Sequence, residues 1–401
     1  MRILARVEAY QAHAARLLRD AAPLTRELVL TTLRWQLTLD HLLQPSLHQP
    51  LSHLEPAVRA CLRMGLAEAQ LLSTPPPVAV AEAVRVCKSF VPRASGLVNA
   101  CLRKAVQTPL PRPEDPSLPL WLRYSHPQWL VERWQRRLPP EILEQALAAA
   151  QAPAPLCLLV PVSRIPPEVS TRPHPYVAGV EVVEAGAAAA AAAAAAGRAY
   201  AMDPTAVAVA RLLPPGPRML EIAAAPGGKS LVLGLEHPER FRVALDLRLA
   251  RVRLLAKAVR LIPRPPALLV ANGCRPPLRP GSFDAVLLDA PCSGTGTLRR
   301  HPEIRWRLTQ GQLEQLAQLQ RGLLSSAARL VAPGGYLLYA TCSLEPEENE
   351  GVVASCGLPV APVAQRLPSD LPRVQLPSGG VLIPPGAWGD GFVVHLLGPH
   401  P

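Results

Sequence analysis

The second half of the sequence repeats one pattern, in which a short apolar run is followed by a turn of small residues and then by a segment with helical spacing of apolar residues. Apolar strands that alternate with helices are typical of a parallel sheet covered on both faces. Ligands of such sheets bind beyond the carboxyl ends of the strands. The pattern therefore predicts an α/β domain over residues 201–401, with strands in "RMLEI", "RVALD", "ALLV", "FDAVLLD" and "GGYLLYATC".

The first 200 residues show different sequence patterns. In residues 1–151 apolar positions recur at three- and four-residue spacing, which predicts an all-α domain. Residues 152–200 are rich in proline, and "PLCLLVPVSRIPPEV" and "YVAGVEVVEAG" are typical of short strands, so we predict a small α+β connecting module. Its ten alanines, Ala187 to Ala196, favour helix but are too few to hold one alone, so we predict an expanded loop.

The net charge of +12 suggests a polyanionic partner, and a simple excess of arginine is the alternative. Nucleic acid is favoured over a membrane surface because no basic amphipathic segment stands out. Only four of the 42 basic residues are lysines, so each lysine is of interest.

The eight cysteines contain no C-x-x-C pair, which argues against a zinc ribbon or a thioredoxin-like site and predicts free thiols. The amino-terminal residues alternate apolar and basic side chains without a secretory h-region, and the longest apolar run is too short for a membrane span. We therefore expect a cytoplasmic protein without a membrane anchor and without a bound metal.

Two of the cysteines follow predicted strands at the ligand edge of the sheet. Cys292 lies in "DAVLLDAPCSGTG" and Cys342 in "GGYLLYATCSLEPEE". Packing as small buried hydrophobes is the alternative for any cysteine, and it is the interpretation that we adopt for Cys61, Cys87, Cys101 and Cys157.

The turn in "LEIAAAPGGKS", residues 220–230, has small residues that let backbone amides approach a ligand just before a helix. It is neither a G-x-G-x-x-G nor a Walker A motif, and an ordinary tight turn explains it equally well. One strand later, Asp246 could hold a ribose hydroxyl pair or could cap the next helix.

Three motifs in this order, "AAAPGGKS", "LDAPCSGTGTLRRHPEIRW" and "YATCSLEPEEN", resemble the RNA 5-methylcytosine methyltransferases of the RsmB (Sun), NOP2 and NSUN family, above all the bacterial RsmB type. The segments "RMGLAEAQLLSTPPPVAVAEAV" and "GLVNACLRKAV" are similar to the NusB-like helical domain of that family, and "GDGFVVHLL" resembles its closing strand. Nearly the whole chain is covered.

The resemblance implies a Rossmann-like methyltransferase domain that uses S-adenosyl-L-methionine, preceded by a NusB-like RNA-binding domain and the connecting module. It implies methyl transfer to carbon 5 of a cytosine in small-subunit (16S) ribosomal RNA. A monomer is one possible state, and the sequence does not determine the oligomeric state. Two other classes stay open: a methyltransferase acting on nitrogen or oxygen, and a non-catalytic ribosome-assembly factor with a decayed cofactor site.

By the same resemblance, Cys342 is the nucleophile that adds to the cytosine ring, and Cys292 assists product release. DNA cytosine methyltransferases instead attack from a Pro-Cys position, so without the resemblance the two roles could be reversed. Asp289 would hold the amidine edge of the cytosine, and Lys229 would orient or polarise nearby groups. A turn-capping aspartate and a surface lysine are the plain alternatives.

The resemblance also implies the cofactor site. The turn faces the methionine and ribose portions, Asp246 binds the ribose hydroxyls, and Asn272 lies near the adenine. Glu221 and Asn272 both stand where the family usually has Asp, and we expect Asn272 to weaken cofactor binding. The expected cofactor residues are Ala223, Ala224, Ala225, Pro226, Gly227, Gly228, Lys229, Asp246, Asn272 and Asp289.

A basic cluster around "HPEIRW" is expected to meet RNA phosphates, with a solvated basic face as the alternative. Trp306 could stack on a base or pack in the core. The members of the cluster are Arg299, Arg300, Arg305 and Arg307, and the weaker candidates in the helical domain are Arg93, Arg103 and Lys104.

Overall fold

The computed structural model describes residues 1–18, 20–160 and 164–400. The chain divides into two compact units. Unit 1 comprises Met1–Pro153 and Leu298–Arg307, and unit 2 comprises Ala154–Thr297 and Leu308–Pro401. The three-part division with boundaries at residues 151 and 200 stays a prediction.

Every regular element in the described part of unit 1 is a helix, in agreement with the predicted all-α domain. Several of these helices begin with proline, whose fixed φ and missing N–H suit the first helical position. In chain order the helices are α1 (Arg2–Tyr10), α2 (Ala14–Leu17), α3 (Pro23–Arg34), α4 (Gln36–Leu43), α5 (Pro56–Leu71), α6 (Pro76–Phe90), α7 (Ser95–Ala105), α8 (Leu120–Arg123), α9 (Gln128–Gln135), α10 (Pro140–Ala149) and, from the second segment, α15 (Ile304–Arg307).

The core of unit 1 lies where α5 crosses α6 and α7. Gly65 permits this close approach, because a Cβ atom there would lie 2.6 Å from Leu102 Cδ1 and 2.7 Å from Ala83 Cβ. Leu62 and Leu66 of α5 are fully buried beside it. A larger residue at position 65 would force these helices apart.

The connecting module forms a three-stranded antiparallel sheet in the order β1-β3-β2. The predicted strands are confirmed at both quoted stretches, although residues 161–163 of the first lie outside the described residues. The strands are β1 (Cys157–Leu159), β2 (Ser170–Pro173) and β3 (Val180–Ala185).

The alanine tract is a helix, α11 (Ala187–Ala195), so the predicted expanded loop is wrong. Two of its residues, Ala190 and Ala193, are fully buried in the apolar cluster of the connecting module. At its carboxyl end the Lys257 ammonium donates to the Ala195 carbonyl at 3.0 Å. Packing of one face and a cation at the negative end therefore supply the stability that an isolated alanine helix of this length lacks.

The remainder of unit 2 is built on one mixed sheet in the order β10-β11-β12-β8-β7-β4-β5-β6, with β9 paired to β12. The predicted parallel sheet is confirmed for β4 to β8, and β12 joins β8 antiparallel. The elements are α12 (Pro204–Ala210), β4 (Arg218–Ile222), α13 (Gly228–Glu236), β5 (Phe241–Asp246), α14 (Leu249–Val259), β6 (Ala267–Val270), β7 (Phe283–Asp289), α16 (Gln310–Leu330), β8 (Val331–Thr341), α17 (Glu350–Val353), β9 (Val360–Ala361), β10 (Val374–Gln375), β11 (Val381–Ile383) and β12 (Phe392–Leu397).

Successive residues of β4 enter opposite apolar clusters: Met219 packs with α13 and α14, whereas Leu220 packs with α16. The sheet is therefore covered on both faces, as its uninterrupted apolar strands predict. Helix α16 begins with a capping box between Thr309 and Gln312. The carboxyl ends of the parallel strands consequently meet at one open edge, where the candidate site lies.

Candidate active site

The two strand-end cysteines are brought together. Strands β7 and β8 are parallel neighbours, with Asp289 opposite Ala340 in the register. Cys342 directly follows β8 and Cys292 follows β7 by three residues. Their sulfur atoms lie 3.4 Å apart. One position at this edge of the sheet is thus faced by two thiols.

Lys229 and Asp289 form an ion pair beside the thiols, with 2.7 Å between Nζ and Oδ2. Lys229 lies in the first turn of α13 and its side chain is 9% exposed. Burial lowers the pKa of Lys229, but Asp289, and beyond it Cys342 and Glu221, more than offset this, so the pKa is raised. The lysine is therefore a fixed cation at the site.

The pKa of Cys292 is raised well above its ordinary value. The hydrogen bond with Cys342 is the largest cause, burial is the next, and the negative charges of Cys342, Glu348 and Asp289 act in the same direction. Cys292 is consequently the thiol that keeps its proton. Cys342 is in turn one of the groups whose charge raises the pKa of Lys229.

The turn between β4 and α13 carries only small side chains, as its alanines and glycines predict. Ala223 (φ 60°) and Gly227 (φ 110°) have left-handed backbone conformations. A Cβ atom on Gly228 would lie 3.0 Å from Met202 Sδ and 3.2 Å from Tyr200 Oη. These two side chains border the turn, and the apolar pattern of their own segment gave no signal for them.

Asp246 ends β5 and is 3% exposed. Its carboxylate accepts the Ala225 N–H at 3.2 Å and the Arg251 Nε–H at 3.0 Å. Helix α14 has Arg248 at its N-cap position, without a side-chain cap. Asp246 therefore does not cap the helix, and it joins the turn instead.

Asn272 follows β6, which pairs in parallel with β5 so that Asp246 lies opposite Val270. The Asn272 side-chain oxygen accepts the Cys274 N–H at 3.0 Å. This bond fixes the exposed amide beside the β5 end. The strand order thus gathers the turn, Asp246 and Asn272 along one part of the edge.

Glu221 is buried beneath the turn and accepts a hydrogen bond from the Ser230 hydroxyl. Burial raises the pKa of Glu221 to about 8, partly countered by Ser230, with smaller contributions from the charges of Asp289, Lys229 and Asp246. Burial, with Glu221 as a lesser cause, also raises the pKa of Tyr200 to about 12.

Several residues at the site were missed from the sequence. The Phe392 ring lies 5.1 Å from Lys229 Nζ, a cation–π contact. Glu348 is fully buried and bonded to both cysteine-bearing loops. The acidic run after Cys342 was the available signal. That segment forms a 3-10 turn, Pro346–Glu348, and the four-residue α17.

The predicted phosphate contacts of Arg299 and Arg305 are wrong, because both side chains are buried within unit 1. Arg305 donates to the carbonyls of Ser125 and Ala150, both at 3.1 Å. Arg299 donates to the Pro153 carbonyl at 3.1 Å. These arginines are buried because guanidinium groups also donate hydrogen bonds to buried backbone carbonyls, which the charge pattern of the sequence does not indicate.

Trp306 packs in a core of unit 1 and donates its indole N–H to the Leu33 carbonyl at 2.7 Å, which favours core packing over base stacking. Arg307 Nη1 lies 3.0 Å from His13 Nδ1. Among the weaker candidates, Arg93 pairs with Glu55 and Lys104 donates to the Pro45 carbonyl. The predicted RNA contacts of Arg103 and Arg300 stay predictions.

The described residues contain no group of three or more His, Cys, Asp or Glu side chains arranged to hold a metal ion. Within the same residues, no helix has the length and apolarity needed to cross a membrane.

Comparison with known families gives two matches, which together span most of the chain. Residues 211–375 match the model of the 16S rRNA methyltransferases RsmB/F, and residues 2–107 match the NusB family. The first match contains the turn, Asp246, Asn272 and both strand-end cysteines.

Curated relatives carry the name ribosomal RNA small subunit methyltransferase B. The Xanthomonas campestris protein is 33% identical over 83% of this chain and 78% of its own length. A Klebsiella pneumoniae protein is 30% identical over 86% of each chain. Among solved structures, that of PH0851 superposes with a TM-score of 0.75 at 25% identity and covers 98% of this chain and 97% of its own. A methyltransferase homologue from Pyrococcus horikoshii has a TM-score of 0.54 at 23% identity over 69% of this chain and 96% of its own, and shows the fold alone.

Proposed function

Because the chain belongs to the RsmB/F family of 16S rRNA methyltransferases, we propose that it transfers a methyl group from S-adenosylmethionine to carbon 5 of a cytosine in small-subunit ribosomal RNA. A cytosine inside a duplex is shielded, so the target is unpaired or flipped out of its stack. The enzyme acts in the cytoplasm, where its RNA substrate is assembled.

The observation that carries the proposal is the pair of thiols 3.4 Å apart beside the Lys229–Asp289 ion pair. Carbon 5 of cytosine is a poor nucleophile. Addition of a sulfur to carbon 6 converts the ring to an enamine whose carbon 5 can attack an electrophile. A methyltransferase acting on nitrogen or oxygen has no use for two thiols at this position.

Each side chain has a distinct part in this chemistry. The Cys342 thiolate forms the bond to carbon 6. Asp289 accepts a hydrogen bond from the exocyclic amine, which favours uptake of a proton from water at the ring nitrogen N3 as the electrons of the 5,6 double bond shift away from carbon 6. After methylation, water takes the carbon 5 proton, and the electron pair of that C–H bond re-forms the 5,6 double bond. The carbon–sulfur bond then breaks, so that Cys342 departs as the thiolate and the ring gives up its added proton. Cys292, placed beside that sulfur, assists this release.

The edge residues fit the methyl donor. The turn from Ala223 to Gly228 exposes backbone rather than side chains at the start of a nine-residue helix, and the buried Asp246 carboxylate lies beside it. Asp246 would hold the ribose hydroxyls and Asn272 the adenine amine. S-adenosylmethionine supplies an electrophilic methyl group when bound. The chain's own contribution is to hold it next to the thiols.

The test is to incubate the protein with methyl-labelled S-adenosylmethionine and unmodified small-subunit RNA, and to identify the labelled nucleoside after complete digestion. The proposal predicts 5-methylcytidine. A label on a nitrogen or a ribose oxygen would contradict the proposal and would indicate a methyltransferase that acts on nitrogen or oxygen. Absence of both label and cofactor binding in a calorimetric titration would favour an assembly factor.

A further inference from the structure

One buried carboxylate connects the two cysteine-bearing loops. Glu348 Oε1 accepts the Ser293 N–H at 2.8 Å and the Gln320 side-chain amide at 3.0 Å. Its Oε2 accepts the hydroxyl of Ser293 at 2.5 Å and that of Ser343. Four donors therefore satisfy a side chain that has no exposure to solvent, as a buried carboxylate requires.

The two serine partners of Glu348 are the immediate neighbours of the two thiols in the chain. Ser293 follows Cys292 and Ser343 follows Cys342. Gln320, on α16, also donates to the carbonyl of Pro291, the residue before Cys292, at 2.8 Å. The spacing of the thiols thus depends on a side chain that touches neither sulfur through a hydrogen bond in the described contacts.

The charges around the thiols are unequal. Glu348 and Asp289 both raise the pKa of Cys292, after the larger effects of the Cys342 hydrogen bond and burial. The Lys229 ammonium interacts with Cys342. Burial raises the pKa of Glu348 itself, and its hydrogen bonds from Ser293, Ser343 and Gln320 counter this by favouring the carboxylate.

We propose that Glu348 is a positioning residue, which fixes the spacing of the two cysteine-bearing loops and disfavours negative charge on Cys292. The inference rests on the proposed function for its catalytic meaning. It adds that the division of labour between the thiols is set by a side chain outside the reacting groups.

The first test measures alkylation of Cys292 by iodoacetamide as a function of pH, by mass spectrometry of the protein without RNA or cofactor. Glu348→Gln keeps the shape of the side chain and removes the charge. We expect the midpoint of Cys292 alkylation to fall by roughly one pH unit, a tenfold faster reaction at a fixed pH below it. The control Glu314→Gln removes an exposed charge from α16, and its profile should match the wild type.

The second test separates spacing from charge. Ser343→Ala removes the Glu348 link to the Cys342 loop and leaves the carboxylate beside Cys292. Bridging of the two thiols by dibromobimane, which becomes fluorescent when it joins neighbouring thiols, should fall severalfold, because the carboxylate no longer ties the Cys342 loop to the Cys292 loop. This smaller change also serves if Glu348→Gln fails to fold.

Unchanged Cys292 alkylation in folded Glu348→Gln, or unchanged bridging in Ser343→Ala, would overturn the inference. Both measurements are independent of RNA. A shifted alkylation profile in an enzyme that makes no 5-methylcytidine would count against the proposed function alone. An unshifted profile in an enzyme that makes it would count against the role of Glu348 alone.

Discussion

The sulfur atoms of Cys292 and Cys342 lie 3.4 Å apart although fifty positions separate the two residues in the chain. The intervening segment includes α16 and returns as β8, the parallel neighbour of β7. The strand order, rather than the sequence distance, therefore decides that the two thiols share a site. At this separation the two thiols form a hydrogen bond in which either sulfur can be the donor.

Glu221 makes stability depend on pH. Its pKa is raised from 4.5 to about 8 by burial, so the folded state binds a proton that the unfolded state has released between these values. The contribution of protonated Glu221 to the free energy of unfolding is then fully present below about pH 4.5 and is lost as the pH rises towards 8. Between pH 5 and 9 the free energy of unfolding of Glu221→Gln should fall by about 2–4 kcal/mol less than that of the wild type. Urea denaturation at each pH measures it. Parallel curves for both proteins would contradict this.

Arg305 is a structural residue of unit 1. Its guanidinium donates to two backbone carbonyls, and burial, followed by the charge of Arg34, lowers its pKa to about 9. Arg305→Met leaves those buried acceptors unpaired and should reduce the free energy of unfolding by about 2–4 kcal/mol. Urea denaturation measures the change, with the exposed Arg103→Met as the control. Unchanged stability of Arg305→Met together with a smaller salt dependence of its RNA binding would instead support a contact between Arg305 and an RNA phosphate.

The alanine helix α11 should be sensitive on one face only. Ala190 is buried and Ala191 is exposed. Asp at either position has the same helix propensity, so Ala190→Asp should destabilise the protein by about 2 kcal/mol or more beyond Ala191→Asp, because only the former buries a charge. Thermal unfolding compares the two. Equal effects would show that the face does not pack.

Asn272→Asp should tighten cofactor binding on the order of fivefold, since an ionised acceptor forms a stronger hydrogen bond with an amine than a neutral amide does. The side-chain oxygen of Asp can still accept the Cys274 N–H that Asn272 accepts at 3.0 Å. Isothermal titration with S-adenosylmethionine gives the dissociation constant. A constant that stays the same or weakens would mean that residue 272 does not contact the adenine.

The sequence allowed the parallel sheet and the position of the site to be predicted, because both follow from local patterns. Short apolar runs followed by turns of small residues predict β4 to β8, and the carboxyl ends of these strands locate Cys292 and Cys342. Asp246 could not be separated from a helix cap until α14 was seen to start at Leu249 with Arg248 at its N-cap position.

What the sequence could not give depends on contacts between distant segments. Helix α11 is held by residues from the connecting module, and the burial of Arg305 depends on carbonyls about 150 or more positions away. Glu348 looked like one charge in an acidic run, because nothing local shows that Ser293 lies against it. Charge alone does not distinguish a solvated face from a buried network.

The covalent bond between Cys342 and the cytosine ring is the central claim, and a denaturing gel of each cysteine variant with substrate RNA tests it directly. Cys292→Ala should accumulate a slow-migrating protein–RNA adduct, since release is impaired. Cys342→Ala, and the double variant, should form no adduct and no 5-methylcytidine. Methylation by Cys342→Ala at the wild-type rate, or an adduct that survives in the double variant, would contradict the account.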